Sequence, residues 1–200
     1  MMDVSGANNT FASIGYRHEQ QTGYETYTRS LMCKGVAAQM HLFIVRHGDY
    51  VRNGSRDPPI SASGMKQASD AGIVITQHSR NVRAVYTSPV GRAVMTADIV
   101  SGSVGAPRIV LDCLEPEADP DGFIEALRET ADSDVVVVGH LPNLKRIFSL
   151  LCSTDNPELP HFECGGVTSL ELLQHGEFNF RPEWTLTSDQ VGKLSARHSK

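Results

Sequence analysis

Apolar positions in this chain follow two rhythms, and the alternation between them marks out its elements. Leu42-Phe43-Ile44-Val45 is a short unbroken apolar run, the pattern of a strand buried on both faces. The loop over 51–60 is punctuated by Asn53-Gly54 and Pro58-Pro59. Ser61 or Ser63 is placed to cap a helix running to about His78. Its apolar side carries Met65, Ala68, Ala71 and Ile75, with Gly72 allowing close approach to the sheet. Val82 to Thr87 predicts a second strand, and Pro89 opens a second helix to about Val100. Arg108 to Leu111 predicts a third strand, and Asp121 to Thr130 a third helix with Phe123, Ile124 and Leu127 inward. Val135 to Val138 predicts a fourth strand buried on both faces, and Pro142 opens a fourth helix to about Leu151. Val167 to Leu173 and Phe178 to Leu186 predict two further strands, joined around His175-Gly176 in a hairpin. Residues 1–39 show no sustained period and are expected to be an extension, loosely ordered or packed on the domain surface. Residues 187–200 are expected to be a polar, frayed tail.

Strands alternating with helices predict a three-layer α/β/α sandwich with a largely parallel central sheet. In such sheets the ligand site lies beyond the carboxyl ends of the strands. Arg46-His47-Gly48 follows the first strand, and Ser88-Pro89 with Arg92 follows the second. Glu115, Glu117 and Asp119 follow the third, and Gly139-His140 follows the fourth. Four strand ends thus deliver two histidines, two arginines and a set of acids to one edge.

Composition narrows the picture. The chain has 200 residues, which fits one domain better than two, and its 40% apolar and 20% charged content is that of an ordinary globular protein. No apolar run approaches the length of a bilayer span. The net charge of −5 argues against a broad nucleic-acid or membrane-binding face. The segment 112–134, with nine acids and one arginine, reads as a solvated acidic face. The four cysteines, at 33, 113, 152 and 164, form no C-x-x-C pair, and His161 with Cys164 is at most half a metal site. They are expected to be free thiols in a reducing compartment. The first forty residues lack the continuous apolar core of a secretory signal and carry Asp3, Glu19 and Glu25, so a cytoplasmic protein is expected.

Two arginines converging on one point select an anion, and their planar forks match a phosphoryl group. Helix N-termini after the second and fourth strands add backbone donors. A histidine among such charges is held neutral and can attack phosphorus. A second histidine can donate to the phosphoryl oxygens as charge shifts, and a carboxylic acid would protonate the leaving group. Because arginines and imidazoles carry the positive charge, no metal or other cofactor is required.

These residues carry a resemblance. Phe43 to Gly48 resembles the Arg-His-Gly signature of the histidine phosphatase (phosphoglycerate-mutase-like) superfamily. Ile60 to Ala68 is similar to its Leu-Thr-x-x-Gly-x-x-Gln-Ala segment, and Thr87 to Ala97 to its Ser-Pro-x-x-Arg-Ala-x-x-Thr-Ala segment. Gly139-His140-Leu141-Pro142 is similar to its Gly-His-x-x segment. The resemblance covers about residues 40 to 186 and implies a catalytic domain there. It implies that His47 is the nucleophile, that Arg46 and Arg92 bind the phosphoryl group, and that His140 completes the pocket. Asn53, six residues after the nucleophile, falls where many members keep a phosphate-contacting asparagine. Ser61 and Gln67 are expected to shape the helix start. The general acid is not aligned uniquely: Glu115, Glu117 and Asp119 compete, and Glu117 is the candidate carried forward.

The short segment between the second and fourth strands lacks the long insertions of the mutase and acid-phosphatase branches, which implies an open pocket. Compact size and the Arg-His-Gly-Asp and Gly-His-Leu-Pro wording look like the SixA-type phosphohistidine phosphatases. The expected partner is therefore a protein bearing phosphohistidine. The alternatives are a small sugar or nucleotide phosphate hydrolysed by the same residues, and a phosphate-binding module without turnover.

Overall fold

Val135 to Val138 are four successive β-branched residues, stiff at χ1 and suited to a pleated backbone. They form the centre of β4 (Asp134–Gly139), which is buried along its whole length. Beside it lies β1 (His41–Arg46), with Leu42 to Val45 fully buried. The computed structural model describes residues 40–130, 133–152, 159–174 and 178–197. The expected extension over 1–39, the turn at His175-Gly176 and the last three residues lie outside the described residues.

The other strands are β2 (Val82–Thr87), β3 (Arg108–Val110), β5 (Val167–Gln174) and β6 (Asn179–Leu186). They form one sheet in the order β3-β2-β4-β1-β5-β6. The first four of these run parallel; β5 is antiparallel to β1, and β6 to β5. The helices are α1 (Ala62–His78), α2 (Gly91–Val104), α3 (Asp121–Arg128), α4 (Asn143–Leu151) and α5 (Ser188–Arg197). One face of the sheet packs Leu42, Ile44, Val135 and Val137 against Phe123 and Leu127 of α3 and Leu144, Ile147 and Phe148 of α4. The other packs Phe43, Val45, Val136 and Val138 against α1, α2 and Val191 of α5. The chain is a three-layer α/β/α sandwich with a mostly parallel sheet, as its alternating pattern predicts.

Ser61 is the N-cap of α1, its Oγ accepting the Gly64 N–H at 3.0 Å. Ala68, Ala71 and Ile75 are fully buried, but Met65, expected on the same apolar side, is 46% exposed. Gly72 serves a different contact from the one expected: a Cβ there would fall 2.5 Å from Cβ of Ser103, so it brings α1 onto α2.

The tail expected over 187–200 is a correction, since α5 occupies 188–197. Thr187 and Gln190 form a reciprocal capping box. The Thr187 N–H donates to Gln190 Oε1 at 2.9 Å, and the Gln190 N–H to Thr187 Oγ1 at 3.4 Å. Val191 is buried, and Ser195 Oγ donates to Asp70 of α1 at 2.6 Å. The apolar stripe is too narrow to show in a composition dominated by polar residues.

Candidate functional site

The site is built on the backbone just past β1. His47 is buried, and its N–H donates to the Gly139 carbonyl at the end of β4 at 3.1 Å. Gly48 and Gly64 meet backbone to backbone: a Cβ on Gly48 would lie 2.5 Å from the Gly64 carbonyl oxygen, and one on Gly64 2.0 Å from that of Asp49. The Gly48 N–H donates to Thr96 Oγ1 at 3.0 Å, and that hydroxyl donates to the Arg92 carbonyl at 2.7 Å. Gln67 Oε1 accepts the Asp49 N–H at 2.8 Å. The residues around each motif thus lock the turn after β1 to α1 and α2, which fixes where His47 and Arg92 point.

The hydrogen bonds of His47 define its tautomer. Nδ1 lies 2.8 Å from the Gly48 carbonyl, which can only accept, so Nδ1 carries the hydrogen. Nε2 lies 3.3 Å from Nε of Arg92, which can only donate, so Nε2 presents a lone pair. Burial lowers the His47 pKa to about 4, with Arg92 and Arg46 adding to the effect and the Gly48 carbonyl and Asp49 opposing it. The His140 ring is centred 4.8 Å from that of His47. Burial, then His47, Arg92 and Arg46, lower its pKa to about 3. Arg46 Nη1 donates to the Phe162 carbonyl at 2.9 Å, which fixes the end of its side chain.

Three of these four residues leave strong groups unused. Arg46 Nε and both ring nitrogens of His140 are buried without a hydrogen-bond partner, and Nε2 of His47 has only the long contact to Arg92. Buried polar groups are normally paired, so an arrangement of orphaned groups around a nucleophilic lone pair reads as a cradle for an oxyanion. Among the described residues, no three His, Cys, Asp or Glu side chains gather as a metal site requires.

The other sequence candidates sit elsewhere. Asn53 lies in an exposed turn, its Oδ1 accepting the Ser55 N–H at 3.1 Å. Glu117 pairs with Arg146 at 3.2 Å and is 77% exposed. With Asp119 and Leu150 it lines a depression of about 530 Å³ that none of the four central residues borders. Glu115 is exposed. The carboxylate whose charge reaches His47 is instead Asp49. Three contributors escaped the sequence reading. Asn143 is buried, and its Nδ2 faces the carbonyls of Cys113, Glu115 and Ala118, tying the loop after β3 to the start of α4. Tyr50 packs edge-on to His47 with ring centres 5.7 Å apart, and Asp57 reaches the start of α2. An isolated tyrosine or aspartate in a loop carries no sequence signal of such contacts.

A sequence model described as the histidine phosphatase superfamily (branch 1) matches residues 42–116. Over these residues the chain is similar to the histidine phosphatase superfamily. The match spans the first three motif segments, and the fold places the fourth, Gly139-His140, beside them. The phosphohistidine phosphatase SixA of Escherichia coli is 26% identical over 148 residues, 70% of this chain and 91% of that protein. A structure of the protein histidine phosphatase SixA complexed with tungstate is 26% identical, with a TM-score of 0.66 over 76% of this chain and 99% of that one. A mycobacterial glucosyl-3-phosphoglycerate phosphatase solved with VO3 shares the fold at 19% identity and a TM-score of 0.58, over 74% of this chain and all of that one. The chain is a phosphatase, a hydrolase of phosphoryl groups. No helix among its described residues is long and apolar enough to cross a membrane.

Proposed function

We propose that this phosphatase removes phosphate from phosphohistidine on a protein, through a phosphorylated His47. The observation that carries the reading is the set of unpartnered buried donors on Arg46 and His140 around the Nε2 lone pair of His47. A tetrahedral oxyanion can accept from Arg46 Nε and from the single N–H of the neutral His140 ring. Tungstate, present in the SixA structure, is such an oxyanion.

In this reading the Nε2 lone pair attacks phosphorus, and the bond from phosphorus to the substrate nitrogen breaks. The released electron pair stays on that nitrogen, which takes a proton from water. Water then attacks the phosphorus on His47, the Nε2–phosphorus bond breaks, and its electron pair returns to Nε2. Arg46 and Arg92 balance the phosphoryl charge, and His140 donates to an oxygen on which charge grows. An imidazole leaves with less help from an acid than an alkoxide needs. A site whose candidate acid, Glu117, is turned to Arg146 therefore suits a phosphorus–nitrogen bond better than an alkyl ester. We also read 40–186 as the catalytic domain with 1–39 as an extension to it. The free thiols of Cys113, Cys152 and Cys164 fit a reducing cytoplasm.

The test is phosphate release from a phosphohistidine-carrying protein against a panel of sugar and nucleotide monophosphates. The phosphoprotein is expected to have the higher kcat/KM by about tenfold or more, a difference of about 1.4 kcal/mol in transition-state stabilisation. Preference for a small phosphate would move the function to metabolism, and phosphate binding without release would make the chain a binding module.

A pH profile checks the nucleophile. His47 attacks only when neutral, and its pKa is about 4. The acid limb of kcat/KM is therefore expected near pH 4, with no loss from His47 between pH 5 and 7. A limb near pH 6.5, where an ordinary histidine titrates, would contradict the neutral, arginine-flanked imidazole.

A further inference from the structure

The contact that defines the lone pair of His47 also obstructs it. Nε of Arg92 stands 3.3 Å from Nε2, in the direction from which phosphorus must approach. The phosphoryl group must displace this guanidinium yet keep it within reach of its oxygens. Two groups from the loop between β1 and α1 also lie against Arg92. The Tyr50 ring lies beneath the guanidinium, with Cζ 5.4 Å from the ring centre. The Asp57 Oδ1 lies 3.9 Å from Nη1, beyond hydrogen-bond distance but close enough to attract.

Both groups are fixed from elsewhere. Tyr50 is bridged to Ile60, and the Val51 N–H donates to the Pro59 carbonyl at 3.0 Å, which closes the base of the loop. Asp57 Oδ2 accepts the Gly91 N–H at 2.9 Å. Val90, the N-cap of α2, makes no side-chain cap bond, so Asp57 caps that helix from 34 residues away. A Cβ on Gly91 would fall 2.6 Å from Oδ2, so this approach needs glycine. Asp57 thus holds both the helix that carries Arg92 and the charged end of Arg92 itself.

We propose that Tyr50 and Asp57 are positioning residues that receive Arg92 as the phosphoryl group displaces it from His47, and aim its Nε–Nη2 edge at the phosphoryl oxygens. With Nη1 drawn to Asp57, the opposite edge, which bears the parallel Nε and Nη2 hydrogens, is left for a two-point grip on the phosphoryl group. The tyrosine face holds the guanidinium plane while it moves. The inference rests on the phosphatase reading of the site and adds the device that clears the nucleophile.

The test is a double-mutant cycle on inorganic phosphate affinity, by calorimetry, and on turnover of a small aryl phosphate. Asp57→Asn keeps an acceptor for Gly91 and removes the charge. It is expected to weaken phosphate binding and kcat about threefold. Tyr50→Leu is expected to cost about tenfold, and Tyr50→Phe, which keeps the aromatic face, about twofold or less. In an Arg92→Ala background both losses are expected to vanish, because the two residues act through Arg92. Thermal unfolding of each variant separates these effects from misfolding, and Tyr50→Phe keeps the test open if Tyr50→Leu does not fold. Undiminished losses without Arg92, or no loss in its presence, would overturn the proposal while leaving the phosphatase reading intact. A wild-type protein that neither binds phosphate nor turns over the aryl phosphate would overturn both.

Discussion

Replacing His47 with alanine is expected to lower phosphate release about 10⁴-fold or more, the scale seen when a nucleophile is removed from a site that acts as a unit. The expectation follows from atoms rather than from the tripeptide. Nδ1 of His47 is committed to the Gly48 carbonyl, so the chemistry must run through Nε2. Burial and the two arginines keep that nitrogen unprotonated. Alanine removes the lone pair but leaves Arg46, Arg92 and His140 in place, so phosphate binding is expected to persist while turnover stops. Two readouts check this: single-turnover phosphate release, and trapping of an acid-labile, base-stable phosphoryl group on the protein, which should be absent in the variant. Release within tenfold of wild type would show that His47 is not the nucleophile.

How much of this could be read in advance depended on how local the signal was. β1 and β4 announce themselves as unbroken apolar runs because both faces are buried. The three-layer order follows from the alternation of such runs with amphipathic stretches. The neighbour of β1 on its other side, β5, comes from more than a hundred residues later, and no local pattern encodes that antiparallel pairing. The helix α5 was missed although its capping box, Thr187 to Gln190, stands in the sequence, because Val191 and Ser195 are its only buried residues.

The same contrast runs through the site. His47, Arg46, Arg92 and His140 each sit at a strand end or in the first helical turn after one, so a strand map places them together. What surrounds them is set by long-range contacts: Phe162 holds Arg46 from 116 positions away, and Asp57 reaches Gly91 across 34. The acid was misplaced for the same reason. Position after β3 brought Glu117 into consideration, but Asn143 fixes that loop and Arg146 takes the carboxylate.

His140 offers the second large effect, and one with an unusual signature. Both its ring nitrogens are buried without a partner, an arrangement that stability alone would not retain. Replacing it with leucine, of similar volume, removes the orphaned groups and is expected to leave Tm unchanged or raise it. The same change is expected to lower kcat about 10²- to 10³-fold, the scale of losing one donor to a developing oxyanion, with little change in KM. The split arises because the His140 bond to a phosphoryl oxygen strengthens as charge moves onto that oxygen, so it stabilises the transition state more than the bound substrate. His140→Asn, which restores an N–H donor on a shorter side chain, is expected to recover part of the loss. Thermal unfolding and steady-state kinetics on the three proteins decide the matter. A leucine variant that loses stability and activity together would make His140 a packing residue. One that gains stability while losing kcat would show that this buried imidazole is kept for the reaction.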